Sequence, residues 1–175
     1  MIYETSRLYI RQFSSSDINE TYLNALNDSS VMGLTEARHQ TWNKDKAVNF
    51  IKTASSKDSK IFGVFIKGTD KAIGNIRIFN IHIIHRRAEL SFLFYDKTEW
   101  SKGYATEAIK KLLVHVFDEL KLNRIVADYY ATNIASGRLF EKLGFEIEGT
   151  YKEHFVLEDG SFVDSIRVAK LNKNK

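Results

Sequence analysis

Residues 88–120 constrain the fold of this 175-residue chain more than any other stretch. Ala88-Glu89-Leu90-Ser91-Phe92-Leu93-Phe94-Tyr95 reads as a strand, and beyond it Ala105, Ala108, Ile109, Leu112, Leu113, Val116, Phe117 and Leu120 recur at helical spacing. Between the two lies the polar loop Trp100-Ser101-Lys102-Gly103. A strand therefore feeds a short loop that opens directly into a helix.

Such a junction has a chemical use. The first turn of a helix carries backbone N–H groups without intrahelical partners and the positive end of the helix dipole, which together suit phosphate. Gly103 and Ala105 are small enough to let that backbone approach a ligand, Gly103 can take φ > 0, and Lys102 adds a positive charge. The competing reading is a plain loop leading into a helix. Neither the dinucleotide fingerprint nor a P-loop is present, because the glycines of the first and the Gly-Lys-Ser/Thr ending of the second are missing.

Length and composition set wider bounds. The chain fits a single domain, 1–175, that buries roughly two-thirds of its unfolded surface without staples. No cysteine is present, which removes disulfides, thiolate metal sites and a cysteine nucleophile, and a reducing, cytoplasmic setting is expected. Glu4 and Arg7 interrupt any apolar run at the amino terminus, so neither an export signal nor a membrane span is expected. The net charge of +4 comes from Lys and Arg scattered among acids, densest over residues 170–175. A basic stripe interleaved with aromatics is absent, so nucleic acid is not an expected partner.

Patterning supplies the remaining elements. Residues 7–13 alternate as a half-buried strand, and Ile18, Tyr22, Leu23 and Leu26 give one helical face after the capping run 14–17. Residues 28–30 and Gly33 mark a break, and Asn43 caps a second helix carrying Ala47, Val48, Phe50 and Ile51. Strands over 61–66 and 72–81 form a hairpin through Gly68-Thr69-Asp70, with Gly74 as a candidate bulge. After a polar connection at 82–87 and the 88–120 unit come a strand over 124–130, a helix over 134–143 stopped by Gly144, and a closing hairpin over 145–171. The order β-α-α-β-β-β-α-β-α-β-β implies an α/β mixed sheet with helices on its faces.

The loop at 100–108 resembles the acyl-CoA diphosphate loop of the GNAT N-acetyltransferases, Gln/Arg-x-x-Gly-x-Gly/Ala. In their RimJ/RimL branch it reads Trp-Gly-x-Gly-Tyr-Ala-Thr-Glu-Ala, from which only Ser101 departs. The likeness extends from Thr5-Ser6-Arg7-Leu8 to Gly149, Glu153, Gly160 and Asp164. It implies a GNAT-like fold, a mostly antiparallel twisted sheet of about seven strands flanked by about four helices. It implies acetyl-CoA as co-substrate, held by Ser101, Lys102, Gly103, Tyr104, Ala105 and Thr106. It further implies that the strand end splays, leaving backbone groups of Leu93, Phe94 and Tyr95 to pair with the pantetheine arm and polarise the thioester carbonyl. Their side chains also read as ordinary core and sheet residues.

A second segment, from Asn133 to Phe145, resembles the family's other CoA-facing motif, Asn-x-x-Ser-x-Arg-x-Leu-Glu-Lys-x-Gly-Phe. By that resemblance Asn133, Ser136 and Arg138 touch the cofactor, while Asn133 by itself reads as a helix N-cap and Arg138 as a solvated side chain. Many members carry a tyrosine acid where this chain has Phe140, and a phenyl ring donates no proton. Ser136 is far too weak an acid to protonate a thiolate of pKa about 8.5 outright, so its expected role is a hydrogen bond to the departing sulfur.

Acyl transfer to an amine needs a neutral amine, donors for the developing oxyanion and a way to protonate the departing thiolate. Glu89 is the candidate base, its carboxylate being expected among Ala88, Leu90 and Phe92, where apolar company raises a pKa. The alternative is a strand glutamate paired with Arg86 or Arg87. His82 and His85 lack carboxylate or cysteine companions, so no metal is expected. Tyr129, Tyr130, Glu153, His154, Trp42 and Phe50 are expected on the acceptor side. The expected activity is acetyl transfer from acetyl-CoA to a primary amine through a ternary complex, in a monomer or homodimer. The acceptor is a protein N-terminus or a small amine, and a non-catalytic acyl-CoA sensor is the rival from another class.

Overall fold

The computed structural model describes residues 1–173. Asn174 and Lys175, the end of the lysine-rich tail, lie outside the described residues. Eight strands form one sheet: β1 (Ile2–Glu4), β2 (Leu8–Gln12), β3 (Lys60–Ile66), β4 (Lys71–His82), β5 (Arg87–Phe94), β6 (Arg124–Tyr130), β7 (Glu146–Val156) and β8 (Phe162–Leu171). Their spatial order is β1-β2-β3-β4-β5-β6-β8-β7, and every neighbouring pair is antiparallel except β5 and β6.

Five α-helices accompany the sheet: α1 (Glu20–Leu26), α2 (Ser29–Met32), α3 (Lys44–Ala54), α4 (Tyr104–Val114) and α5 (Ile134–Lys142). The sequence reading of about seven strands and four helices falls one short of each. Strand β1 has only three residues, too few for alternation to register, and α2 is a single turn whose cap, Asp28, accepts from Ser30 N in the segment read as a break. The first helix also starts later, because residues 15–17 form a 3-10 turn and Asn19 becomes the cap.

Each face of the sheet carries its own core. On one face β2 to β6 and β8 contribute Leu8, Ile10, Val64, Ile76, Ile78, Ala88, Leu90, Ile125, Ala127 and Val168, packed against Ala108, Ile109, Leu112 and Leu113 of α4 and Phe140 of α5. The other face, with Phe13, Ile61, Phe65 and Tyr95, packs on Tyr22, Ala25 and Leu26 of α1, Met32 of α2, Trp42, and Ala47 and Ile51 of α3. Period-2 alternation therefore divides β5: Ala88, Leu90, Phe92 and Phe94 face α4 and α5, while Glu89, Ser91 and Leu93 face α1 to α3. Among the described residues no helix is long and apolar enough to cross a membrane.

A parallel pair needs a crossover, and α4 supplies it between β5 and β6. The crossover leaves the β5–β6 junction as the place where the sheet can be interrupted.

Candidate active site

Only three residue pairs join β5 to β6: Arg87 with Arg124, Ala88 with Ile125, and Glu89 with Val126. Beyond them β5 continues to Phe94 paired with β4 alone, and β6 continues to Tyr130 paired with β8 alone. The strands separate there and leave a gap in the middle of the sheet. Tyr95 N donates to Ile73 O on β4 at 3.0 Å, so by alternation the backbone of Phe94, Phe92 and Leu90 turns toward the gap. The expectation for Tyr95 therefore does not hold, since its N–H is used inside the sheet. Leu93 likewise turns its carbonyl to β4, where a Cβ built on Gly74 would meet Leu93 O at 2.8 Å and Phe94 Cα at 3.0 Å. What Leu93 presents beside the gap is its half-buried side chain.

The loop before α4 sits at the end of β5. Trp100 Nε1 donates to Phe94 O at 2.7 Å and ties the two together. Ser101 has φ 62° and Gly103 φ 83°, the latter as the N-cap of α4 with no side chain capping the first N–H groups. Ser101, Lys102 and Gly103 are exposed, and Tyr104, Ala105 and Thr106 are half-buried. The first-turn N–H groups of α4 thus have no side-chain cap and follow a turn with two left-handed residues. Lys102 does not supply the free positive charge expected of it: its Nζ lies 2.8 Å from Glu99 Oε2. Glu99 is shared with Lys71, which also pairs with Asp96 at 2.7 Å.

On the α5 side of the gap, Asn133 caps the helix by accepting from Ser136 N at 3.1 Å. Ser136 is half-buried and Arg138 exposed. Phe140 is 2% exposed, packed between Phe92 of β5, Tyr129 of β6 and Phe145. Its ring therefore lies beneath the place where the strands part. Tyr129 reaches Gly137 in the first turn of α5, where its hydroxyl would be 3.1 Å from an added Cβ, and burial pushes its pKa up.

The opposite face carries the carboxylates. Glu89 lies on the last rung before the gap and is half-buried, but its company is polar rather than apolar. At an irregularity in β4, Asn80 takes φ 51° and donates its Nδ2 to Glu89 Oε1 at 2.9 Å. The apolar neighbours expected around the carboxylate, Ala88, Leu90 and Phe92, belong to the other face of the same strand. Asp128, one alternation beyond Val126, gives one oxygen to Arg167 Nη1 at 2.7 Å. Burial and the nearby charge of Glu89 hold its carboxyl above the usual range even so. Motif reading passes over Asp128, since an isolated acid in a strand has no spacing signature.

Further along β6, Tyr130 stacks on Phe155 at 4.0 Å, donates to Glu36, and lies under the Arg38 guanidinium. The segment after α2 is thereby folded over this face. His82 and His85 stack on each other at 4.3 Å at the far end of the β4–β5 hairpin, away from the gap. Among the described residues no three His, Cys, Asp or Glu side chains converge as a metal site would require.

The fold is that of acetyltransferases. A solved GNAT-family acetyltransferase from Bacillus anthracis superimposes with a TM-score of 0.83 at 28% identity, covering 98% of each chain. The N-acetyltransferase YoaA of Bacillus subtilis (strain 168), itself uncharacterised, is 29% identical over 170 residues, 94% of this chain and 93% of that one. The [ribosomal protein uS5]-alanine N-acetyltransferase of Escherichia coli (strain K12) is 30% identical over 110 residues, 62% of this chain and 55% of that protein. The family description "acetyltransferase (GNAT) domain" matches residues 7–146. The chain belongs to the GNAT family and is an N-acetyltransferase.

Proposed function

We propose that this protein transfers the acetyl group of acetyl-CoA directly to a protein α-amino group in a ternary complex, within a single domain spanning 1–175 and in the cytoplasm. The observation that carries the reading is the gap between β5 and β6, which opens beside the left-handed turn at the start of α4. An extended arm with amide groups fits an unpaired strand edge, and a diphosphate fits uncapped helix N–H groups. The residues present therefore suit the donor.

Ser101, Lys102, Gly103, Tyr104, Ala105 and Thr106 then hold the diphosphate, mainly through backbone N–H. The gap-facing edge of Phe92 and Phe94 pairs with the pantetheine arm, and one of its N–H groups meets the negative charge that develops on the carbonyl oxygen. Asn133 and Arg138 border the same path from α5. Acetyl-CoA supplies the activated acetyl group as co-substrate. Glu89 accepts a proton from the incoming ammonium, the freed amine nitrogen forms the bond to carbon, the carbon–sulfur bond breaks, and the second proton of that nitrogen leaves with the sulfur to give the free thiol. Ser136 donates a hydrogen bond to the departing sulfur, Phe140 having no proton to give.

A protein α-amino group has a pKa of about 7.7 to 8.0, so near neutrality roughly a tenth is already uncharged and a modest base suffices. The similarity to an enzyme of uS5 alanine supports the same acceptor class. A second reading, a small polycationic amine, is favoured by the three carboxylates Glu36, Glu89 and Asp128 on the acceptor face. Thiol release from acetyl-CoA distinguishes them. A peptide beginning with alanine should be turned over and its N-acetylated form should not. Turnover of a polyamine alone would shift the assignment to the small amine, and binding of acetyl-CoA without release for any acceptor would leave a sensor.

A further inference from the structure

Glu107, in the first turn of α4, is the meeting point of the chain's amino-terminal segment. Its Oε1 accepts from Thr5 Oγ1 at 2.5 Å, Ser6 Oγ at 3.3 Å and Arg7 N at 3.1 Å. Its Oε2 accepts from Arg7 Nε at 2.7 Å and lies 2.6 Å from Arg7 Nη2. Two nitrogens held by the one oxygen Oε2 fix the guanidinium plane, whose centre lies 4.4 Å from the ring centre of Tyr104. The third nitrogen, Nη1, donates to the carbonyl of Lys102 at 3.1 Å.

That last contact reaches the diphosphate loop itself. In a trans peptide the C=O of one residue and the N–H of the next point in opposite directions. Holding Lys102 O on Arg7 therefore turns Gly103 N–H the other way. With Gly103 at φ 83° the plane could otherwise rotate, bringing an oxygen, which repels phosphate, to the place of a donor. We propose that Arg7 is a positioning residue for the donor substrate: it orients the Lys102–Gly103 peptide so that an N–H, not a carbonyl, faces the diphosphate. The inference rests on the assignment of the diphosphate to this loop.

Arg7 is 45% exposed while Glu107 is 18% exposed. A lysine at position 7 keeps the charge and loses the fork, so it cannot hold both Glu107 and the Lys102 carbonyl in one plane. The test compares kcat/KM for acetyl-CoA with that for S-acetylpantetheine, which carries the same thioester and arm without the diphosphate. In Arg7→Lys the preference for acetyl-CoA should fall about tenfold, a loss expected from one or two polar contacts. The KM for acetyl-CoA should carry the change. Glu107→Gln, which loosens Arg7 without removing it, should fall in the same direction by less, and it decides the matter if Arg7→Lys does not fold. An unchanged preference in the folded variants overturns the role of Arg7. A wild-type protein that turns over both donors equally instead removes the diphosphate from this loop, and the two failures are read from different proteins.

Discussion

Ser101 stands where the resembling loop has glycine, and the structure gives the reason for that preference: φ is 62°, a conformation that crowds a Cβ. Ser101→Gly should relieve this strain, offset in part by the greater freedom glycine gives the unfolded chain, for a net gain of about 0.5 to 1 kcal/mol. Urea melts of the two proteins measure it, and equal midpoints would mean that the loop already accommodates serine. Glu89 makes a sharper residue-level case. Replacing it with Gln keeps the shape and removes the proton acceptor, so the rate should fall most at low pH, where neutral amine is scarcest, with acetyl-CoA affinity nearly intact. A pH–rate profile parallel to that of the wild type would remove Glu89 from proton transfer. The position of Glu89 in strand β5 was legible in the sequence, because polar and apolar residues alternate regularly from Ala88 to Phe92. Its surroundings were not, since they depend on Asn80 and Asp128, brought close by an irregular turn of β4 and by the crossover.

Elements with strong periodicity, α4, α5, β6 and the β3–β4 and β7–β8 hairpins, lie close to where patterning puts them. The gap escaped a reading from residues alone because hydrogen bonds that fail to form leave no mark in side-chain alternation; only the likeness to a family suggested it. One glycine bears on its width. A Cβ at Gly74 would press on Leu93 O and Phe94 Cα, so Gly74→Ala should drive the end of β5 toward β6, cost about 1 to 3 kcal/mol in stability, and raise KM for acetyl-CoA. A crystal structure of the variant with β5 unmoved would refute this. The joint between the amino-terminal segment and α4 has its own signature. Burial opposes ionisation of Glu107, but its bonds from Thr5 and Arg7 prevail and hold the carboxyl below its ordinary value. Its contribution to stability is therefore complete above the unfolded pKa and is lost as pH falls through the folded one. Denaturant melts between about pH 6 and pH 3 should show a shallower acid loss in Glu107→Gln than in the wild type.

Over the whole molecule the two sheet edges differ. Strand β1 is short, whereas β7 is long and exposed along most of its length, with Ile147 68% and Tyr151 47% exposed. A long open edge with apolar side chains invites another strand, and pairing of β7 with a second copy is the expected outcome. Sedimentation should give twice the chain mass, and Ile147→Lys should return the monomer; a wild-type monomer at high concentration would rule the pairing out. The three rungs between β5 and β6 carry a different consequence. They make the sheet close to two separate slabs, β1 to β5 and β6 to β8, stitched at one corner by no more rungs than the three-residue edge strand β1 makes. A molecule lying along the seam between them would act as a suture: it should slow amide exchange in Ala127 to Tyr130 as well as in β5, and raise the melting temperature by joining halves that otherwise breathe apart.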